Sequence, residues 1–469
     1  MVTYDMVVSG AHVVTPTGIV EKNIVINEEK ISLLTTNVPP CDKKIKADGL
    51  VAIPGVIDTH VHYGVYSPID RAASTESHAA AIGGVTTMMR MLRLGGSYKK
   101  FLGEQLEASK EKHYIDYAIH ASIFDHLQAE EMDFCARSGV TSFKLYMNLG
   151  SEIGHVYMDM SPSSTNLAEE RVEVTDDIVD KVIANAARMG CPVLVHAEDY
   201  ESCSCGIKTA KKKNQDGLVA WSESRSPKYE VKAIGRVSTM ARKHGCIIYF
   251  VHIGSAAALE KIRIERMLGT KIFVETCPHY LTLSHENQTG YLAKVMPPIR
   301  TKRDREAVWE AICSGEINTI GTDHVANQIK LKLDKTDENG VWGALAGFPG
   351  IGTLLPVLAS RGVNTGKISL ERLANLTSFN AAKIFSFAPH KGAISIDADA
   401  DITILDMKLE KKVSSELFGG FSDYTVYDGW KLKGWPVKTI VRGSLIAEDF
   451  EIVGKMGHGK FAPRTSIKP

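Results

Sequence analysis

The chain of 469 residues carries 55 lysines and arginines against 55 aspartates and glutamates. That balance gives no electrostatic basis for binding nucleic acid or an anionic membrane, and leaves a small molecule as the expected partner. No apolar run approaches the roughly 20 residues that span a bilayer, Met1 to Asp5 lacks the features of a secretory signal, and eight cysteines are too few for a disulfide framework, so a cytoplasmic protein is expected.

The chain opens on short β-rich segments, Tyr4 to Val8, His12 to Thr15, Glu21 to Asn27 and Lys30 to Leu34, with turns at Ser9-Gly10, Thr17-Gly18 and Glu28-Glu29. They are too few for a domain of their own. The same character returns after about residue 386, in Gly392 to Ile396, Ile402 to Leu405 and Thr439 to Ala447. The economical arrangement joins both ends, 1–52 and 386–456, into one small β-sandwich and leaves 53–385 as a central unit, with a tail over 457–469.

The central unit begins where the apolar run Leu50 to Ile53 is stopped by Pro54-Gly55 and followed by Asp58-Thr59-His60-Val61-His62. In an extended segment residues i and i+2 point to the same side, so His60 and His62 can converge on one borderline-soft cation such as zinc. An isolated His-x-His is equally a pair of hydrogen-bonded strand histidines. Four later segments have the same form, a β-rich run closing on a polar residue: Thr141 to Tyr146 with Lys144, Cys191 to Glu198 with His196, Cys246 to His252, and Ile317 to His324 with Asp323. Helical windows such as Asp176 to Met189 and Val231 to His244 alternate with them. This is the rhythm of an α/β fold, a (β/α)₈ TIM barrel, whose active site lies at the carboxyl ends of the strands. His196 and His252 taken alone could be core histidines and Asp323 a helix cap; Lys144, in an apolar strand, is the odd residue. The roughly 25 residues between Leu149 and Asp176 show little periodicity and read as a lid or substrate gate.

Together these residues resemble the cyclic amidohydrolases, above all the hydantoinase and dihydropyrimidinase branch. Further matching blocks are Ala79 to Thr87, Val274 to Leu281, Pro297 to Arg300, Gly321 to His324, Leu376 to Phe385 and Lys391 to Asp401, so the resemblance spans nearly the whole chain. It implies a hydrolase of C–N bonds in cyclic amides, holding two divalent metal ions, zinc by expectation. Lys144 would be the modified residue, carbamylated by CO₂ and shared between the metals, with His60, His62 and Asp323 on one and His196 and His252 on the other. A hydroxide between them would attack the ring, and Asp323 would be the catalytic proton carrier. The tail often reaches a neighbouring subunit in such relatives, which implies a homo-oligomer, a homotetramer or a dimer.

Several positions depart from the family pattern. Leu149 stands where the main branch has a tyrosine that stabilises the oxyanion, and Tyr146 is a candidate replacement. Met296 and Ala346 replace residues near backbone groups that grip the ring. With Tyr63, Tyr66, Leu92 and Leu149, Met296 would make an apolar pocket suited to a hydrophobic or aromatic ring substituent. Arg90 is expected to meet a substrate carboxylate or carbonyl, or else to pair with an acid such as Glu76. Allantoinase stays open through Glu275 to His279, dihydroorotase is disfavoured by Gly64, a single-metal deaminase would not need Lys144, and a non-catalytic scaffold would lack several of the six ligands.

Overall fold

Strands buried on both faces, alternating with amphipathic helices, close into a parallel barrel. In the computed structural model, which describes residues 3–151, 153–286 and 289–465, Val56–His62, Val85–Leu92, Asp116–Ser122, Phe143–Tyr146, Val193–His196, Ile247–Phe250 and Lys271–Thr276 lie side by side in chain order. The eighth strand is split. Thr319–Ile320 pairs with Lys271–Thr276, and His324–Val325 pairs with Val56–His62, so the ring closes around Gly321, Thr322 and Asp323.

The helices that deliver these strands are marked in the sequence. Asp176–Met189 starts at Thr175, whose hydroxyl accepts from Ile178 N, carries two aspartates in its first turn, buries Ile178, Val179, Val182, Ile183 and Ala186, and stops at Gly190 in the left-handed region (φ 69°). Pro227–His244 is capped by Ser226, has proline in its first turn and Arg242, Lys243 and His244 in its last, and ends at Gly245 (φ 70°). Each leads directly into the next barrel strand, Val193–His196 or Ile247–Phe250, and so sets the strand end that carries His196 or His252.

Both chain ends meet in a separate pair of sheets. Lys30–Thr35, Asn23–Asn27, Tyr4–Ser9 and Cys41–Lys46 form one. In the other, Val51–Pro54 lies between His12–Thr15 and Ile402–Lys412, with Lys431–Val441 beyond. A cluster including Met6, Val8, Ile24, Ile26, Ile402 and Ile440 fills this unit. It is locked to the barrel by buried charges: Lys391 Nζ reaches Asp116 Oδ2 at 2.7 Å and Asp401 Oδ2 at 2.6 Å, and Arg442 Nε reaches Asp116 at 3.0 Å.

Two expectations change. Gly392 to Ile396 is loop, and the Lys391 beside it supplies the charge lock instead of a sheet register. The stretch after Leu149 contains a hairpin, His155–Met158 with Ala168–Arg171. The tail from Gly457 to Arg464 packs on its own barrel: Tyr117 N donates to Lys460 O, Ala462 N to Tyr117 O, and buried Arg464 donates to Ser142 Oγ and Ile119 O. The last four residues of the tail, 466–469, lie outside the described residues.

Candidate metal centre

His60 and His62 turn to one side of the first barrel strand, with Nε2 atoms 3.2 Å apart and each 3.2 Å from Asp323 Oδ1. Tetrahedral ligand bonds of about 2.0–2.1 Å give edges of about 3.3 Å between donor atoms. The triangle therefore has the size of one face of such a site. Asp323, between the halves of the split strand, has φ 50°, and His252, just past Ile247–Phe250, has φ 44°. Left-handed backbone is costly for residues with a side chain and gathers at functional sites. Asp58 holds the first of these turns, accepting from Thr322 N at 3.0 Å and Thr322 Oγ1 at 2.5 Å.

Lys144 lies two residues before Tyr146, which is in register with His196 on the next strand. It is wholly buried, and its Nζ has no hydrogen-bond partner among the described residues. An unpaired buried ammonium costs several kcal/mol, so the amine calls for a partner or a change of charge. The rings of His196 and His252 are 4.6 Å apart between centroids, His60 and His252 are 5.4 Å apart, and His252 Nδ1 is likewise buried without a partner.

Two carboxylates decide which ring nitrogens face the centre. Glu275 accepts from His60 Nδ1 at 2.8 Å and also from Thr59, Tyr249 and the backbone N–H of His252. Glu198 accepts from His196 Nε2 at 2.6 Å and is gripped by Arg225. Because a carboxylate only accepts, His60 presents the Nε2 lone pair and His196 that of Nδ1. Burial holds all four histidines below their ordinary range, in the neutral form that binds metal. Burial also moves Lys144 down and Asp323 up. It would raise Glu198 too, but Arg225 and the His196 hydrogen bond outweigh it and hold that carboxyl at about 2. Imidazole and carboxylate donors in this triangle fit a divalent metal ion, and the His252 and His196 rings lie beside it.

A cavity of about 520 Å³ opens onto the centre, a size suited to a small molecule. Met296, Ala346, Leu149, Tyr146 and Tyr66 line it. Tyr63 and Arg90 do not. The Tyr63 hydroxyl pairs with His113 Nε2 at 3.1 Å inside the core. Arg90 turns into the core instead, where it meets Asp159 (2.9 Å), Gln105 (3.0 Å) and Tyr63 O (2.9 Å); Glu76, the partner considered for it, bonds His324. Leu92 is also core, so the pocket is not the apolar one expected: Arg93, Lys211, Arg225 and Lys294 share its wall with Trp221 and Trp342.

Sequence reasoning missed Arg93, Lys294, Glu198 and Arg225, and quoted Glu275 without a role. Arg93 had a signal. It follows the end of Val85–Leu92 and so stands on the rim, whereas Arg90 lies within the strand, where a side chain meets the core.

A closed barrel bearing a buried His-His-Asp triangle at the carboxyl ends of its strands defines a metal-dependent hydrolase. The chain belongs to the amidohydrolase family, whose model matches residues 51–446. It is 30% identical to a D-hydantoinase of Geobacillus stearothermophilus over 96% of this chain and 95% of that one, and 27% identical to an L-hydantoinase of Paenarthrobacter aurescens over 99% of each. The crystal structure of a dihydropyrimidinase from Brevibacillus agri superposes with a TM-score of 0.88 at 26% identity, covering 99% of both chains.

Proposed function

We propose that the protein hydrolyses a ring C–N bond of a cyclic amide or imide of the hydantoin or dihydropyrimidine type, with two divalent cations, zinc by donor type, as cofactor. His60, His62 and Asp323 would hold one cation and His196 and His252 the other, with Lys144 shared between them. Bound cations of this kind lower the pKa of a water to about 7 and polarise a carbonyl oxygen. Lys144 would serve as a carbamate: the neutral amine adds CO₂, an N–C bond forms, one proton leaves, and the neutral amine becomes an anion with two donor oxygens. Asp323 takes the proton from the attacking water and gives it to the leaving ring nitrogen. Tyr146, on the same strand as Lys144, would donate its hydroxyl proton to the carbonyl oxygen from the site that Leu149 leaves without a donor. Met296 and Ala346 would bound the ring, and the loop after Leu149 would gate it.

The observation that carries this reading is Lys144, wholly buried with an unpartnered amine, on the same cavity as His60, His62, His196, His252 and Asp323. Lys144→Ala should lose both bound metal and ring opening, and short carboxylic acids should restore part of each by supplying the missing oxygens. Full activity of that variant without additive would refute the role. The same reading places the protein in the cytoplasm as a homo-oligomer, dimer or tetramer, which light scattering on the purified protein tests. Among the described residues no helix is long and apolar enough to cross a membrane.

A further inference from the structure

Resting on the ring-opening function proposed above, we propose that the substrate ring carries an anionic substituent, a carboxylate, and that Arg93 is the residue that receives it.

The charge on the cavity wall carries this inference. Among its described lining residues are five basic side chains, Arg93, Lys144, Lys211, Arg225 and Lys294, and a single carboxylate, Asp323. Lys144 and Asp323 belong to the metal centre, and Arg225 is neutralised by two bonds to Glu198. That leaves Arg93, Lys211 and Lys294 without a carboxylate partner within 4 Å among the described residues. Lys294 is buried, which lowers its amine to about 7, and donates to Ala344 O at 2.5 Å while lying 4.4 Å above the Trp221 ring; Lys211 is exposed, 5.7 Å from the Trp342 ring. A partly buried guanidinium such as that of Arg93 is unfavourable without an anion, and an anionic ligand removes that cost.

Arg93 stands nearest the reacting centre. Asp159, a neighbouring carboxylate, is engaged through Oδ2 by Arg90 at 2.9 Å and by the Arg93 backbone N–H at 3.1 Å, and its buried Oδ1 has no hydrogen-bond partner among the described residues, the Arg93 side chain included. The Arg93 Nε is buried with no acceptor, and Nη2 donates to His62 Nδ1 at 3.0 Å. That last bond requires the Nδ1 lone pair, which puts the proton of a neutral imidazole on Nε2. A cation held by His62 Nε2 requires the opposite tautomer, in which Nδ1 bears the proton and offers Arg93 nothing. Metal binding therefore sets free a planar guanidinium at the edge of the cavity, with the fork geometry that matches a carboxylate.

The test compares two nearly isosteric rings, hydantoin bearing a carboxymethyl group and the same ring bearing a carbamoylmethyl group, on the zinc-loaded protein. Dissociation constants come from calorimetry and kcat/KM from ring opening. The carboxylate should be favoured by at least about tenfold in both, the size of one charge-assisted bidentate contact. The ratio should collapse toward one in Arg93→Gln, recover in part in Arg93→Lys, and fall in Lys211→Met, an exposed position where substitution carries little folding risk. It should also shrink with added salt. Equal binding of the two rings by the wild type, or an unchanged ratio in Arg93→Gln, overturns the proposal even if both rings are opened. Preferential binding of the carboxylate without any ring opening supports the anion site and instead removes the hydrolase reading.

Discussion

Asp323 is asked to do two things, hold a cation and carry a proton, and one substitution separates them. Asp323→Asn keeps the shape and one oxygen donor but cannot accept a proton, so kcat and kcat/KM should fall together by about 10²–10⁴ with metal content retained. A loss under about tenfold, with chemistry rate-limiting in the wild type, would place the proton carrier elsewhere. Glu275 is buried and does not line the cavity; it fixes the His60 tautomer through a 2.8 Å hydrogen bond. Glu275→Gln should weaken metal affinity by about 10–100-fold, read by competition with a chelator, while the fold persists. The histidines and Asp323 were legible because each closes an apolar run, a pattern that needs no tertiary information. The carboxylates behind them were not, because Glu198 and Glu275 acquire meaning only when the barrel brings Arg225 and His60 against them. Arg90 and Arg93 make the same point: two arginines in one segment, sorted into core and cavity by where the strand ends.

The strand ends impose geometry that regular secondary structure cannot supply. Both His252 and Asp323 depend on left-handed backbone, and Asp323 also depends on a strand broken into two pairs of residues that bond different neighbours. Asp58 ties that break to the first strand through Thr322. Asp58→Ala should therefore release the Asp323 turn, lowering metal occupancy and kcat while leaving the other barrel strands protected in hydrogen exchange. Uniform loss of protection across the barrel would mean that Asp58 is merely a core residue. The alternation of strands and helices was readable from periodicity and from caps such as Thr175, Gly190, Ser226 and Gly245. The hairpin after Leu149 was not, since Ala168–Arg171 is largely exposed and shows no alternation of apolar and polar residues.

Barrel and sandwich are joined through charge as well as through the chain. Lys391 sits between Asp116 and Asp401 with 6% of its surface exposed, so Lys391→Met would leave buried Asp401 without its cation and Asp116 with Arg442 alone. The expected cost is about 3–5 kcal/mol, seen as a lower Tm. Acid should weaken the fold in a definite direction. Burial works against ionised Asp116 and Glu198, yet Lys391 and Arg442 hold the first below its ordinary range and Arg225 holds the second at about 2. Carboxyls lower in the folded than in the unfolded chain stabilise it fully above about pH 5 and lose that contribution as pH falls toward about 2. Tm should follow that course, and Glu198→Gln should flatten it. That both chain ends share one unit could be inferred from their matching β character, whereas the docking of Lys460 and Arg464 beneath the barrel follows from surfaces that only the folded barrel presents.

Metal stoichiometry decides most directly whether this barrel works as proposed. Elemental analysis of protein reconstituted with zinc and bicarbonate should find about two ions per chain, because six donors exceed the four that one tetrahedral site takes, and His252→Asn should retain about one. One ion or none in the wild-type protein would contradict the shared Lys144 centre and the chemistry built on it.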